Sequence, residues 1–226
     1  MMKDSLLIFR KEWKGFTRSN RGIFLIYGAL VIMWSFLISS NINLNESNLS
    51  YLWLVFFSVI ITGNFSNTTF ISERLAGSLE ILLTSGISRL SILMGKIVFV
   101  VIMSAVLGSI CYTFAFFIEF IQIKRFDFEI FKTSSFWQEL LLYFGACYIN
   151  TTSSAWLSCK LSNPRLIHFI NFFLLGIVIT IHALLSELMV LSILHLTIAL
   201  IITGLFLNVM AHKSYKSEKV IQPLIL

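Results

Sequence analysis

The chain has 226 residues, of which 57% are hydrophobic and only 12% are charged, and its mean hydropathy is +0.87. Soluble domains carry about 25% charged residues, so this chain has too little polar surface to cover a water-soluble core. The composition predicts an all-α polytopic membrane protein. The net charge of +6 comes from a few basic clusters, which are typical of topology signals and not of a nucleic-acid footprint.

The first segment, residues 1–21, predicts an amphipathic helix that lies in the membrane interface. Apolar residues recur at steps of four and three, which places on one helical face Met2, Leu6, Phe9, Trp13 and Phe16. Basic residues lie mostly off this face, as expected at headgroup level. Phe9, Trp13 and Phe16 are therefore candidate interfacial residues. The helix either only sets the orientation of the chain or also contributes to a docking surface for a partner.

Six apolar stretches follow and predict six transmembrane helices within one membrane domain, 1–226, near residues 23–40, 51–71, 90–118, 137–158, 166–185 and 189–211. Each approaches or exceeds the ~20 residues that a helix needs to cross the hydrocarbon. Because no small-residue cleavage site follows the first stretch, we expect it to be retained as a span. Fourteen lysines and arginines fall on one side of this arrangement and three on the other. By the positive-inside rule, both termini are expected in the cytoplasm.

The connection between the second and third stretches, residues 72–89, reads SERLAGSLEILLTSGISR and interrupts the apolar sequence with charges and turn residues. Ser78 can cap a short helix that carries Glu80 in its first turn. Leu79, Leu82 and Leu83 would form an apolar stripe along this helix. Because so short a helix is marginal alone, the stripe must bury against the membrane surface, the N-terminal helix or another subunit.

The second half of this connection predicts a turn and a new helix start. Gly86 suits a helix C-cap or a left-handed turn. Ser88 can cap the third predicted span, with Arg89 inside its first turn. From the residues alone, Glu73, Arg74 and Glu80 would be interpreted as a solvated loop with local charge pairs.

Residues 71–96, ISERLAGSLEILLTSGISRLSILMGK, resemble the first cytoplasmic loop of ABC type-2 (ABC-2) exporter permeases. Those loops typically show Glu-Arg, Gly-Ser/Thr-Leu-Glu, Leu-Leu, Ser-Arg and then Gly-Lys, and the matching positions are Glu73, Arg74, Gly77, Ser78, Leu79, Glu80, Leu82, Leu83, Ser88, Arg89, Gly95 and Lys96. Gly86 departs from the proline that is often found in the turn. The resemblance extends to the N-terminal FRKEWKGF, the span count and the cytoplasmic termini.

The resemblance implies that residues 72–89 form a coupling helix that sits in a groove of a separate cytoplasmic ATPase. The chain has no G-x-x-x-x-G-K-[ST] phosphate-binding loop, so we expect a transport subunit and not an enzyme. ATP and Mg would bind to the two partner ATPase subunits. A second permease subunit, identical or paralogous, would complete the translocation path in the inner or plasma membrane of a bacterial cell.

Two alternatives stay open at this stage. One is a haem-exporter-like permease of cytochrome maturation, and the other is a stand-alone secondary transporter or membrane scaffold. His182, Glu187 and His195 surround the predicted hairpin between the last two spans, but their loose spacing favours ordinary interfacial polar residues over a ligand set. No metal site is expected on this chain.

Overall fold

The structure, a computed structural model, describes residues 2–18, 21–40, 50–84, 86–123, 134–161, 163–188 and 192–216, and these ranges contain helices and short connections but no β-strand. The predicted all-helical fold is confirmed for this part of the chain. The α-helices are α1 (Met2–Arg18), α2 (Arg21–Ser39), α3 (Ser50–Ser66), α4 (Glu73–Leu75), α5 (Ser78–Thr84), α6 (Arg89–Ile123), α7 (Ser134–Ser158), α8 (Pro164–Leu188) and α9 (Ile193–Lys216). A π-helical segment, Asn67–Ser72, joins α3 to α4 without a break.

Four helical stretches are long and apolar enough to cross a membrane: Tyr51–Leu75, Arg89–Ile121, Pro164–Leu184 and Ile193–Tyr215. They coincide with the second, third, fifth and sixth predicted spans and support a membrane protein. Within the described residues, α2 adds a shorter apolar stretch, Phe24–Ser39. The predicted fourth span coincides with α7, which has 25 residues but a lower hydropathy. The count of six spans therefore remains a prediction.

The lower hydropathy of α7 comes from polar residues that are buried inside the helix bundle. α7 packs against α3, α6, α8 and α9. Its second half carries a continuous buried row of Asn150, Thr151, Thr152, Ser153 and Ser154. Asn150 donates a hydrogen bond to Ser58 Oγ at 3.0 Å, and Asn171 donates one to Ser154 Oγ at 2.7 Å. Small and polar residues of this kind join neighbouring helices where apolar packing alone does not favour association.

The N-terminal helix α1 packs closely along the first half of α6. Gly95 of α6 permits this approach, because a Cβ atom at that position would lie 2.6 Å from the Ser5 carbonyl oxygen and 2.7 Å from Ile8 Cβ. Ile8 is 2% exposed, and the Phe9 ring meets the Phe99 ring edge-on with centroids 5.9 Å apart. α1 is therefore held against the bundle by close packing.

The buried face of α1 differs from the predicted apolar face. Leu6 and Trp13 are 57% and 44% exposed, whereas Ile8, which the predicted face left out, is buried. Phe9 and Phe16 are partly buried against the main core, as the pattern indicated. The packed face is rotated from the most apolar one, and it brings Glu12 towards α6. A location of α1 in the membrane interface stays a prediction.

Gly95→Ala should loosen α1, because the new methyl group would meet the backbone of α1 at a distance that no side-chain adjustment relieves. Overpacking of this kind costs about 1–3 kcal/mol, which exceeds the gain of about 1 kcal/mol in helix propensity. We expect a lower melting temperature in detergent and faster tryptic cleavage within α1. Gly28→Ala is the matched control, because a Cβ atom there meets nothing within 4 Å, and it should leave both measurements unchanged or slightly improved.

Candidate functional site

Two arginines of the predicted coupling loop reach the ends of neighbouring helices. Arg74 Nη1 donates a hydrogen bond to the carbonyl oxygen of Ser158, the last residue of α7. Arg89 Nη1 lies 3.4 Å from the carbonyl oxygen of Tyr215, near the end of α9. These contacts bring the ends of α4, α7 and α9 and the start of α6 to one end of the bundle, which we call the α5 end. Cations suit such positions because carbonyl groups at helix C-termini carry partial negative charge.

Two glycines in left-handed conformation set the direction of α5. Gly77 precedes it with φ of +70°, and Gly86 follows it with φ of +77°. The left-handed turn predicted at Gly86 is confirmed. A proline is impossible there because its ring fixes φ near −65°, so this turn differs in kind from one that contains proline. Beyond it, Ser91 N–H donates to Ser88 Oγ at 3.2 Å, which confirms Ser88 as the N-cap of α6.

The short helix α5 buries one side and exposes the other. Leu79 is 4% exposed, and Leu82 packs partly buried against the main core. On the opposite side, Ile81 is 72% exposed, and Leu75, just before α5, is 66% exposed. The side chains of Ser78, Glu80 and Leu83 lie outside the described residues, so the predicted cap and the third leucine of the stripe stay predictions. α5 thus presents an apolar residue outward at the end of the bundle.

Four charged residues join α1, α4 and α6 into one ion-pair network. Lys96 of α6 is fully buried, and its Nζ donates to the carboxylate of Glu73 and lies 3.5 Å from Glu12 Oε1. Lys11 of α1 pairs with the other oxygen of Glu73 and also lies 3.5 Å from Glu12 Oε1. The network carries two positive and two negative charges. It compensates the buried ammonium group, which would otherwise be strongly unfavourable away from water.

The π-helical segment supplies the remaining acceptor for Lys96. In a regular α-helix the Glu73 N–H would bond to the Thr69 carbonyl oxygen, four residues earlier. Here that N–H bonds to the Phe70 carbonyl oxygen instead, and Thr69 O accepts a hydrogen bond from Lys96 Nζ. π-helical turns often occur at functional sites. This one directs a backbone carbonyl at a buried cation.

Glu12 is the carboxylate of the network that is least compensated. Burial raises its pKa above the ordinary value of 4.5, and the positive charge of Lys96 only partly opposes that effect. Both lysines approach Glu12 at 3.5 Å, whereas Glu73 forms closer contacts with each of them. The two carboxylates therefore have different roles: Glu73 is the direct counter-ion of Lys96, and Glu12 is a more distant one.

The structure brings together only part of the predicted site. Glu73 and Lys96, 23 residues apart in the chain, are in direct contact, and Arg74 and Arg89 contact two further helices. Lys11 and Glu12 were not among the predicted site residues, because the basic residues of α1 were expected at headgroup level. Glu12 lies one turn after Ile8 and so shares the buried face, but identifying that face required knowledge of where α1 packs.

The histidines near the last helical hairpin contact a backbone connection. His182 Nε2 lies 3.3 Å from the carbonyl oxygen of Ser192, and the Ser192 N–H donates to His195 Nδ1 at 3.1 Å. The side chain of Glu187 lies outside the described residues. In the part of the chain that the structure describes, no three His, Cys, Asp or Glu side chains are arranged to hold a metal ion.

Comparison with known proteins gives no family assignment. No protein-family model matches the chain, and no curated protein matches it.

Glu73→Gln should destabilise the bundle strongly, because it leaves Lys96 buried without its direct counter-ion. Removing one partner of a buried ion pair typically costs about 3–5 kcal/mol. We expect a large drop in melting temperature in detergent. Restoring neutrality with the double variant Glu73→Gln/Lys96→Met should recover a substantial part of the loss. A double variant as unstable as Glu73→Gln would show that the charge of Lys96 is not the cause.

Glu12→Gln should not destabilise the bundle as Glu73→Gln does. It should instead change how the stability of the bundle depends on pH. Because the folded-state pKa of Glu12 is raised above 4.5, the folded chain binds the proton more tightly than the unfolded chain does. The stabilisation is fully present below pH 4.5 and is lost as pH rises through the raised pKa. Melting temperatures of the two proteins against pH should therefore diverge in favour of Glu12→Gln as pH rises. Parallel curves would contradict this assignment.

Proposed function

We propose that this chain is the permease subunit of an ATP-binding cassette exporter of the ABC-2 type, in which α5 is the coupling helix. The observation that carries the proposal is the position of α5. This helix lies at the end of the bundle between two left-handed glycines, buries Leu79 and exposes Ile81. An exposed apolar residue on a short helix between two long helices is suited to docking into a groove on a partner.

The contacts around α5 provide a path for transmitting movement. Displacement of α5 would act on α4, which it follows directly, and thereby on Glu73 and Arg74. Glu73 is linked to α1 and α6 through Lys11 and Lys96, and Arg74 is linked to the end of α7. Arg89 links the start of α6 to α9. A displacement of α5 would thus reach α1, α6, α7 and α9 through polar contacts.

The charge distribution supports a cytoplasmic location for this end. The α5 end contains Arg74, Arg89 and Lys96, and α1, which packs beside it, is rich in lysine and arginine. Basic residues flanking membrane spans favour the cytoplasmic side. An ATPase partner is restricted to that side because ATP is available there.

The proposed assembly contains two permease subunits, identical or paralogous, and two ATPase subunits in the inner or plasma membrane of a bacterial cell. ATP and Mg would bind to the ATPase subunits, since this sequence has no phosphate-binding loop. The residues proposed to form the coupling element are Glu73, Arg74, Gly77, Ser78, Leu79, Glu80, Leu82, Leu83, Ser88 and Arg89. Leu79 is buried against the bundle, so we add the exposed Ile81 as a residue that would contact the partner. The chain itself would form the path for an amphipathic, peptide or lipid-linked cargo.

Ile81→Glu should detach the ATPase without unfolding the permease, because Ile81 is exposed and its loss removes an apolar contact with the partner groove. Co-expression with candidate ABC ATPases from the same organism, followed by affinity purification of the one that the unmodified chain retains, should recover about tenfold less ATPase, as for loss of an interface residue worth about 1.4 kcal/mol. The matched control is Ile121→Glu. Ile121 is 61% exposed and lies near the opposite end of α6, so this variant should retain the ATPase.

Retention of the full amount of ATPase, with unchanged ATP hydrolysis, in Ile81→Glu would remove α5 from the coupling element. Transport by the purified chain alone, without ATP, would contradict the permease proposal as a whole and favour a secondary transporter.

A further inference from the structure

A cavity of about 410 Å³ lies where α1, α2, α3 with its π-helical segment, and α6 meet. Its volume falls within the range of ligand-binding sites in proteins, about 300–1,000 Å³. Three of its lining residues, Gly15, Ile26 and Thr68, are exposed, so the cavity opens to the outside of the bundle. Neither the ion-pair contacts nor the exposed side of α5 accounts for this cavity.

The cavity wall combines one carboxylate with aromatic rings. The described lining residues are Glu12, Gly15, Phe16, Ile26, Tyr27, Asn64, Phe65, Asn67, Thr68, Thr69 and Phe99. Glu12 is the one acidic side chain among them, and none of them is lysine, arginine or histidine. The amides of Asn64 and Asn67 add further oxygen acceptors. This composition disfavours an anion and favours a ligand that carries positive charge and hydrogen-bond donors.

Glu12 has one carboxylate oxygen available for such a ligand. Lys11 and Lys96 both approach Oε1, and no described residue forms a hydrogen bond with Oε2. The side chain is 11% exposed, although it packs within the bundle. Burial raises the pKa of this carboxyl group, so a cation bound beside Oε2 would offset the cost of its ionisation.

The aromatic residues form a contiguous patch. The rings of Tyr27 and Phe65 stack with centroids 5.0 Å apart, and Phe16 lies 5.5 Å from Phe65. Aromatic rings attract ammonium groups through their negative faces and also pack against alkyl groups. A carboxylate beside such a patch is therefore suited to an alkylammonium group.

The position of the cavity's opening indicates which kind of molecule would carry the alkylammonium group. Ile26 at its rim is 62% exposed and belongs to the apolar helix α2, where Leu25 is 75% exposed. An entrance beside an apolar surface admits amphipathic molecules from the lipid side.

We propose that this cavity binds the ammonium group of an amphipathic amine, with the Glu12 carboxylate as counter-ion and Phe16, Tyr27 and Phe65 as its apolar wall. The ammonium group belongs either to a lipid headgroup or to a free amine. The proposal does not depend on the transport function, because the site is built by residues outside the coupling element.

The test uses the full-length chain purified in detergent and two probes, of which only one carries a charged ammonium group. Dihexanoyl phosphatidylethanolamine carries the ammonium group, and its N-acetyl derivative does not. Isothermal titration should give a Kd for the charged probe at least about tenfold lower than for the acetylated one. Equal binding of both probes, or binding of neither, would overturn the proposal. Butylammonium separates the sources: affinity equal to that of the lipid probe identifies a free-amine site, and weaker affinity identifies a headgroup site.

Two variants locate the binding to this cavity. Glu12→Gln should reduce the affinity for the charged probe to that for the acetylated probe. Gly15→Leu should abolish binding, because a Cβ atom there meets nothing within 4 Å and the new side chain would fill the cavity. Gly28→Leu is the matched control, since Gly28 is equally open but does not line the cavity, and it should bind as the unmodified chain does. Unchanged binding in Gly15→Leu would place the amine elsewhere and refute the proposal.

Discussion

The burial of Lys96 is the constraint on which the arrangement around α5 depends. An ammonium group with no exposed surface must be surrounded by acceptors and by negative charge. α6 cannot supply these acceptors from its own regular backbone, whose carbonyl groups already bond within the helix. They come from α4, α1 and the π-helical segment, through Glu73, Glu12 and Thr69. Two separate stretches of the sequence, α1 and the π-helical segment with α4, are thereby held in one register relative to α6.

Buried ion pairs often contribute little net stability, because the cost of removing both charges from water offsets their attraction. Their effect on geometry is larger, since few arrangements satisfy every charge at once. α1 illustrates this difference: the face of α1 with the largest apolar side chains includes the exposed Leu6 and Trp13, and the face that packs includes Glu12. The packed face buries Ile8 and partly buries Phe9 and Phe16, and it also presents Glu12 to Lys96. Gly95 then permits the approach that brings Glu12 within reach of Lys96.

Local features were predictable from the sequence, whereas features that depend on tertiary contacts were not. The left-handed turn at Gly86 and the cap at Ser88 follow from residues a few positions apart, and both are confirmed. The pairing of Glu73 with Lys96 is a tertiary contact between α4 and α6 at one end of the bundle. The low hydropathy of α7 arises from residues such as Asn150. No periodicity in the sequence indicates the hydrogen bond between Asn150 and Ser58. The π-helical segment likewise has no signature in NTTFIS that separates it from an ordinary helix.

The π-helical segment connects the ion-pair network with the cavity. Thr69 lines the cavity and also accepts a hydrogen bond from Lys96 through its carbonyl group. Glu12 likewise belongs to both. An ammonium group bound to Glu12 would share its carboxylate with Lys96 and Lys11 and so alter the ion pairs that link α1 to α6. If α5 transmits movement from an ATPase, it does so through Glu73, which shares the same two lysines. An occupied cavity would therefore act on the same ion pairs as a movement of α5, so that on the proposed function an amine from the membrane would modulate coupling without contacting α5.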